Sequence, residues 1–351
     1  MGALQAIGER EHSARSEATA GTLLSDARWT GPHGIGRFAR EVLSRLPAHT
    51  QLESGPKVFS AADSFWLTYQ IITKRPRVFF SPGFNPPLIC PAPLVFTIHD
   101  LIQIHVPEVS TLDKLLYYRA VLRPASRRAY RVLTVSNFCR DEIVKWCGLP
   151  DDRVINVGNG VGDVFRPAGP RYEPGFPYML YVGSQRRHKN LRRLIQAFRK
   201  INYPELHLLV TGSATPEFRA YIAGAGIADR VRFLACVTDD KLAAVYRGAI
   251  LLVLPSVSEG FGLPPLEAMA CGTPVVVSRR TAPPEVVGDA GILVDPFDID
   301  DLRSGLERVL GDTGLRSTLC RLGLRRSRQF SWDRVAERVR AVLEDAAGVA
   351  L

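Results

Sequence analysis

In "PSVSEGFGLPPLEAMACGTPVVVS" (255–278) two carboxylates, Glu259 and Glu267, flank a glycine-rich turn. An apolar run ends at Pro255, and a loop carrying Glu259, Gly260, Phe261 and Gly262 follows. Pro264 and Pro265 suit the first turn of a helix, where a missing N–H costs nothing. That helix is expected to run to about Cys271 and to end at Gly272. Amide groups at its start suit a phosphate. Carboxylates on either side suit sugar hydroxyls, which favour charged acceptors. A capping acid and a surface acid would explain the pair too, but not the density of Gly, Pro and acid in one loop.

Three further constellations stand elsewhere. In "QRRHKNLRRLIQAF" (185–198), Arg186, Arg187, His188 and Lys189 fall on a loop and Asn190 starts a helix, an arrangement suited to a diphosphate. Arg192 and Arg193 fall on the helix itself and read as solvated. A lone His is commonly a structural residue, but His99 and Asp100 follow the run "LVFTI", at the end of a strand where parallel sheets bind ligands, which favours a function; His105 reads as structural. "GPHGIGRFAR" (31–40) contains Gly34-x-Gly36-x-x-Ala39, the spacing of a dinucleotide fingerprint. A true fingerprint follows its strand directly, whereas here "DARWTGPH" intervenes. Glu53 lies about 20 residues on, as a ribose-binding acid should, yet "LPAHTQLE" shows no second strand ending there. The expectation is a glycine loop that opens a helix with free amides facing a ligand, not an NAD site.

The elements that must position these residues alternate. Strand patterns at 22–25, 77–81, 94–98, 131–136 and 153–159 are separated mostly by helical ones, including 137–147 with Ser136 as cap and Gly148 as stop. A crowded segment with Pro167, Gly169, Pro170, Pro174, Gly175 and Pro177 reads as a linker over 167–177. The rhythm then restarts with strands at 178–184, 206–213, 231–237, 249–256, 273–278 and 291–296. The expected fold class is α/β, with two Rossmann-like doubly wound domains at 22–166 and 178–330 facing a central cleft, and an amphipathic helix over 331–346.

The chain has 351 residues, of which 46% are hydrophobic and 23% charged, with a formal net charge of +10. These values fit a globular enzyme of two domains, and the basic excess favours anionic partners. Residues 1–21 lack the apolar core of a signal peptide and read as a disordered extension of a cytoplasmic protein. Cys90, Cys139, Cys147, Cys236, Cys271 and Cys320 include no pair at metal-ligand spacing, so neither a zinc site nor a disulfide framework is expected. Asp298 and Asp300 have the spacing seen in metal-dependent transferases, but they precede a helical pattern and read as capping residues.

Over nearly its whole length the chain resembles the retaining GT-B glycosyltransferases with a Glu-x7-Glu motif, a large bacterial family with mannosyltransferase-like members. "GIGRF", "TIHDL", "TVSNF", "NVGNGV", "YVGS…KNL" and the segment 255–278 occur in the family's order. The resemblance implies transfer of a hexosyl group from a nucleotide diphosphosugar with retained configuration and without metal or other cofactor. Glu259 would meet the sugar hydroxyls, Glu267 the ribose, and the amides of Gly260, Phe261, Gly262 and Leu263 the sugar and phosphate. Lys189 would bind the diphosphate beside Arg186, Arg187 and His188. His99 would stand beside sugar and acceptor, Gly36 would face the same cleft, and Val237 and Leu242 would flank the base next to Cys236. Gly34, Arg37 and Asp100 would lie on the acceptor side. The family usually has Arg-Lys-Asn where this chain has His188-Lys189-Asn190, so a neutral His188 would weaken the clamp unless Arg186 or Arg187 took over. "NGVGD" for the usual "NGVD" is expected to change only a loop. The resemblance also implies that the last helix returns to the first domain.

The donor expected on family frequency is GDP-mannose, with UDP-glucose or another UDP- or dTDP-sugar as the alternative. Arg119, Arg123, Arg127, Arg128 and Arg131, mixed with apolar residues over 117–131, suit either a solvated helix face or a face that rests on the inner surface of an anionic membrane. There it would meet a saccharide acceptor on a polyprenyl diphosphate, in polysaccharide synthesis. The rival enzymes are a GT-B epimerase, which needs no acceptor, and a phosphorylase, which needs a cofactor lysine. The +10 charge also raises nucleic-acid binding, but the cations form no stripe interleaved with aromatics.

Overall fold

Short, mostly apolar runs of three to five residues form the strands of two parallel sheets, and inner strands such as Leu94–Thr97 and Leu251–Leu254 are buried on both faces. The computed structural model describes residues 22–106, 110–235 and 237–351; the extension expected over 1–21 and Cys236 lie outside the described residues. The first sheet contains β1 (Leu23–Asp26), β2 (Thr50–Leu52), β3 (Val78–Ser81), β4 (Leu94–Thr97), β5 (Arg131–Thr134) and β6 (Val154–Asn156), in the order β2-β1-β3-β4-β5-β6. The second contains β7 (Tyr178–Tyr181), β8 (His207–Thr211), β9 (Val231–Leu234), β10 (Leu251–Leu254), β11 (Val275–Ser278) and β12 (Gly291–Val294), in the order β12-β11-β10-β7-β8-β9. All pairings are parallel, with registers such as Leu24↔Phe79 and Leu252↔Leu180.

The chain divides into two units. One comprises the described residues up to Leu101, Thr111–Gly160 and Trp332–Leu351; the other comprises Val161–Ser331 with the described part of Ile102–Ser110. The longer helices of the first unit are α1 (Gly34–Leu43), α2 (Ala61–Lys74) and α3 (Asn137–Cys147). Those of the second are α4 (Leu191–Arg199), α5 (Pro216–Gly224), α6 (Asp239–Gly248), α7 (Leu263–Ala270), α8 (Ile299–Gly311) and α9 (Thr313–Ser327). The last helix, α10 (Trp332–Ala347), belongs to the first unit, where Trp332 meets Phe38 at 6.3 Å and Asp333 pairs with Arg45 at 2.8 Å. Ser136 caps α3 through Cys139 N–H at 3.1 Å, and Gly148 closes it, as its sequence indicates.

In the second unit, α4 buries Leu191, Leu194, Ile195 and Phe198 against Met179, Tyr181 and Leu208. This i, i+3, i+4, i+7 stripe faces the sheet, so Arg192, Arg193 and Gln196 take the other face. Each fully buried side chain of this kind contributes roughly 1.5–3 kcal/mol.

Three expectations are revised. A strand does precede Glu53: β2 pairs with β1, but it has three residues and buries only Leu52, too short to announce itself. The stretch 117–131 is not one helix, because Leu112–Tyr117 passes into π-helical Tyr118–Leu122, then Arg123–Arg128, then β5 from Arg131. The segment 167–177 lies within the second unit, whose boundary falls between Gly160 and Val161. It is strapped to α6: Tyr172 N–H donates to the Ala244 carbonyl at 2.9 Å, and Arg247 donates to the Pro170 carbonyl at 2.7 Å.

Candidate functional site

Neighbouring strands bring two distant loops together in the second unit. β7 and β10 are hydrogen-bonded neighbours, so the loops after them emerge side by side. Lys189 Nζ lies 2.6 Å from Oε1 and 2.8 Å from Oε2 of Glu259. These side chains are 22% and 10% exposed. The loops are held by backbone and amide contacts. Val257 N–H donates to the His188 carbonyl at 2.7 Å, and Glu259 N–H to Thr281 Oγ1 at 3.0 Å. Asn190 adopts the left-handed conformation that Asn tolerates, at φ 60°. Its buried amide donates to the carbonyls of Pro255 at 3.0 Å and Pro296 at 2.6 Å.

Glu267 is placed by α7. That helix starts after Gly262, whose φ of 106° favours glycine. Pro264 and Pro265 fill its first turn, so the helix start has the amides of Gly262 and Leu263 rather than a full set. One turn in, the buried Glu267 carboxylate accepts a hydrogen bond from Tyr246 Oη on α6 at 2.8 Å. Tyr246 is fully buried and its carbonyl accepts from Thr273 Oγ1 at 2.6 Å. Leu242 lies one turn earlier on α6, with half-buried Val237 in the segment before it. The Phe261 ring is buried against Phe330 at 5.8 Å, so this residue offers the loop its backbone and not its ring.

The basic loop does not act as one cluster. His188 is buried, and burial, aided by the Lys189 charge, pushes its pKa down to about 4, so it is neutral. Arg186 and Arg187 are exposed and line a separate cavity with Arg192, Arg193 and Arg280. Lys189 alone meets Glu259. The structure therefore does not bring Arg186 and Arg187 to Lys189 and Glu259, as a clamp shared with Lys189 would need, and Arg192 and Arg193 line a cavity rather than standing merely solvated.

In the first unit, His99 follows β4 and is buried, with its ring edge-on to Phe38 at 5.0 Å. Burial pushes its pKa down to about 4. Its Nε2 lies 2.8 Å from the Pro82 carbonyl, which can only accept. Nε2 therefore carries the proton, and Nδ1 is left as an acceptor. Asp100 follows at intermediate exposure. The glycine loop departs from expectation: Gly34 and Gly36 lie inside the first turn of α1, and the Gly36 amide donates to His33 Nδ1 at 2.9 Å. A Cβ at Gly36 would lie 2.3 Å from the Gly31 carbonyl oxygen, so glycine is required there for close backbone approach. Arg37 is half-buried one position on. The arginines of 117–131 do not share one face. Arg127 donates to the Cys147 carbonyl at 2.8 Å, Arg131 stacks on Tyr130, and the Arg123 Nε is buried. Arg128 lines a groove with exposed Leu88 and Ile89.

One buried polar network had no sequence signature. Asp26, at the end of β1, pairs with Arg28 at 2.7 Å, which also pairs with Asp63 at 2.7 Å. Asn85 donates to both carboxylates at 3.0 Å and accepts from Trp29 Nε1. Its members come from three separate stretches, 26–29, Asp63 and Asn85, so no local pattern announces it.

Among the described residues no group of His, Cys, Asp and Glu is arranged to hold a metal ion, and no helix is long and apolar enough to cross a membrane. Asp298 caps α8 by accepting from the amides of Asp300 at 2.8 Å and Asp301 at 3.1 Å.

Comparison with known proteins follows the division of the chain. Residues 29–165 match the family described as Glycosyltransferase Family 4, and residues 169–321 that described as Glycosyl transferases group 1. The O-antigen chain mannosyltransferase B of Escherichia coli is 34% identical over 254 residues, which are 68% of this chain and 67% of that protein. The serotype-specific mannosyltransferase WbdA of Escherichia coli is 30% identical over 230 residues, 60% of this chain, and this chain spans 28% of its length. Among solved structures, HepE of Anabaena in complex with UDP-glucose is similar at a TM-score of 0.75, with 18% identity, over 92% of this chain and 99% of that one.

Proposed function

Since the chain belongs to the group 1 glycosyltransferases of two-domain GT-B fold and is a glycosyltransferase, we propose that it moves mannose from GDP-mannose to a saccharide or lipid-linked saccharide in cell-surface polysaccharide synthesis, retaining the anomeric configuration and using no metal. The observation that carries a nucleotide-sugar site is the Lys189–Glu259 pair, with Glu259 on the loop that leads into the helix of Glu267. Mannose rests on the similarity to O-antigen mannosyltransferases.

In this reading the three groups divide the donor. Glu267, with one oxygen tied by Tyr246, accepts from the ribose hydroxyls. Glu259 accepts from the sugar hydroxyls. Lys189 turns from Glu259 to the diphosphate as the bond from the anomeric carbon to the phosphate oxygen breaks, and so stabilises the charge that develops there. The acceptor hydroxyl attacks the anomeric carbon on the face the nucleotide leaves, and its proton passes to a departing phosphate oxygen. In the first unit, neutral His99 offers Nδ1 as an acceptor for a hydroxyl of the saccharide acceptor. Arg128, beside Leu88 and Ile89, serves a peripheral contact with an anionic membrane that carries the acceptor.

The test is hexose transfer to lipid-extracted acceptors from GDP-mannose, UDP-glucose and dTDP-sugars, with and without EDTA, with the new linkage assigned by NMR. Transfer from GDP-mannose, with unchanged anomeric configuration and indifference to EDTA, is expected. Transfer only with added metal, or an inverted linkage, would overturn the mechanism; preference for a UDP-sugar would overturn the donor.

A further inference from the structure

The second unit contains a cavity of about 1000 Å³ that the transfer reaction above does not use. Arg186 and Arg187 reach it from the loop after β7, Arg192 and Arg193 from the outer face of α4, and Arg280 from the loop after β11. Glu217 is its one lining carboxylate among the described residues, and Arg192 takes it up at 2.5 Å. The other four guanidiniums have no carboxylate partner among the described residues. Two of them are also fixed in place. Arg193 and Arg280 both lie over the half-exposed Phe297 ring, each 5.2 Å from its centre. Arg193 further donates to Asn190 Oδ1 at 3.0 Å, and Asn190 is itself anchored to two carbonyls. Like charges gathered on one aromatic ring, with their donors already oriented, suit an anion that accepts several bonds at once, and guanidinium forks match phosphate oxygens. Neither Lys189 nor Glu259 nor Glu267 lines this cavity.

We propose that it is a second phosphate site, which holds the diphosphate group of a ligand other than the sugar donor. The word "second" rests on the assignment of the donor to Lys189; the cavity itself does not. The diphosphate has two sources, the carrier of a diphosphate-linked acceptor or free diphosphate, and Phe297 offers a ring for an apolar carrier to cover.

Isothermal titration with inorganic pyrophosphate tests this on the full chain, with Lys189→Ala and with Arg186→Ala/Arg280→Ala, each checked for native melting. Wild type is expected to bind two equivalents, one displaced by GDP and lost in Lys189→Ala. The other persists under GDP, weakens as salt rises and drops at least tenfold in affinity in the double arginine variant. Binding that disappears only in the arginine variant, and ignores both GDP and Lys189→Ala, would keep this site and remove the donor assignment. Pyrophosphate binding unchanged by the double arginine variant would overturn the proposal. Farnesyl diphosphate distinguishes the sources: tighter binding than pyrophosphate supports the acceptor carrier, equal binding supports free diphosphate.

Discussion

Removing either partner of the Lys189–Glu259 pair should expose how strongly the site is held together. The ammonium touches both carboxylate oxygens, at 2.6 and 2.8 Å, with the side chains 22% and 10% exposed. An exposed pair contributes about 0–1 kcal/mol, and truncating one partner of a fully buried pair costs about 3–5 kcal/mol. This pair lies between those limits, so Lys189→Met is expected to cost about 1–3 kcal/mol. A unit of this size loses roughly 2–4 °C of Tm per kcal/mol. The assay is a double-mutant cycle of Lys189→Met, Glu259→Gln and the pair, followed by thermal and urea unfolding. A coupling of about 1–2 kcal/mol is expected. The same set also reports on function. Glu259→Gln frees the ammonium, so GDP affinity should rise severalfold while transfer falls, because the sugar loses its charged acceptor. Additivity within about 0.5 kcal/mol, together with unchanged GDP affinity in Glu259→Gln, would refute the reasoning.

Other consequences follow from single contacts. Tyr246→Phe removes the donor to a buried Glu267 oxygen, so stability should fall by about 1–3 kcal/mol and KM for the donor should rise; melting and steady-state kinetics check both. His99 is held neutral by burial, with its pKa down at about 4 against 6.5 when unfolded. Its contribution is therefore complete above pH 6.5 and is lost as the pH falls toward 4, by roughly 3 kcal/mol in all. Urea midpoints across that window should fall more steeply for wild type than for His99→Asn. Gly36→Ala places a methyl group 2.3 Å from the Gly31 oxygen, and a loss of about 1–3 kcal/mol in urea unfolding is expected.

Local chemistry was legible where one stretch of chain contains all the information. Ser136 and Gly148 bound α3, Pro264 and Pro265 open α7, and Asp298 caps α8, each within a few residues of the group it serves. What pairs across the chain was not. Lys189 and Glu259 stand 70 positions apart and meet because β7 and β10 are neighbours. The Asp26–Arg28–Asp63–Asn85 network is invisible for the same reason. Arg186 and Arg187 adjoin Lys189 in sequence, yet the tight turn Arg187–Lys189 sends Lys189 to Glu259 and leaves the arginines to a different cavity. The arginines of 117–131 were read as one face, but the π-helical turn Tyr118–Leu122 and the strand at Arg131 interrupt the helical period. Gly36 shows a motif read for the wrong reason, since spacing alone does not reveal that His33 occupies its amide.

The central claim, that a nucleoside diphosphate lies across Lys189 and Glu267, is tested most directly by thermal shift. GDP, UDP, dTDP, ADP and NAD are each added without metal to wild type and Glu267→Ala. A ligand at a hundred times its dissociation constant adds about 2.7 kcal/mol of stability. Stabilisation by GDP that disappears in Glu267→Ala is the predicted result. Equal stabilisation of both proteins, or stabilisation by NAD alone, would contradict the account.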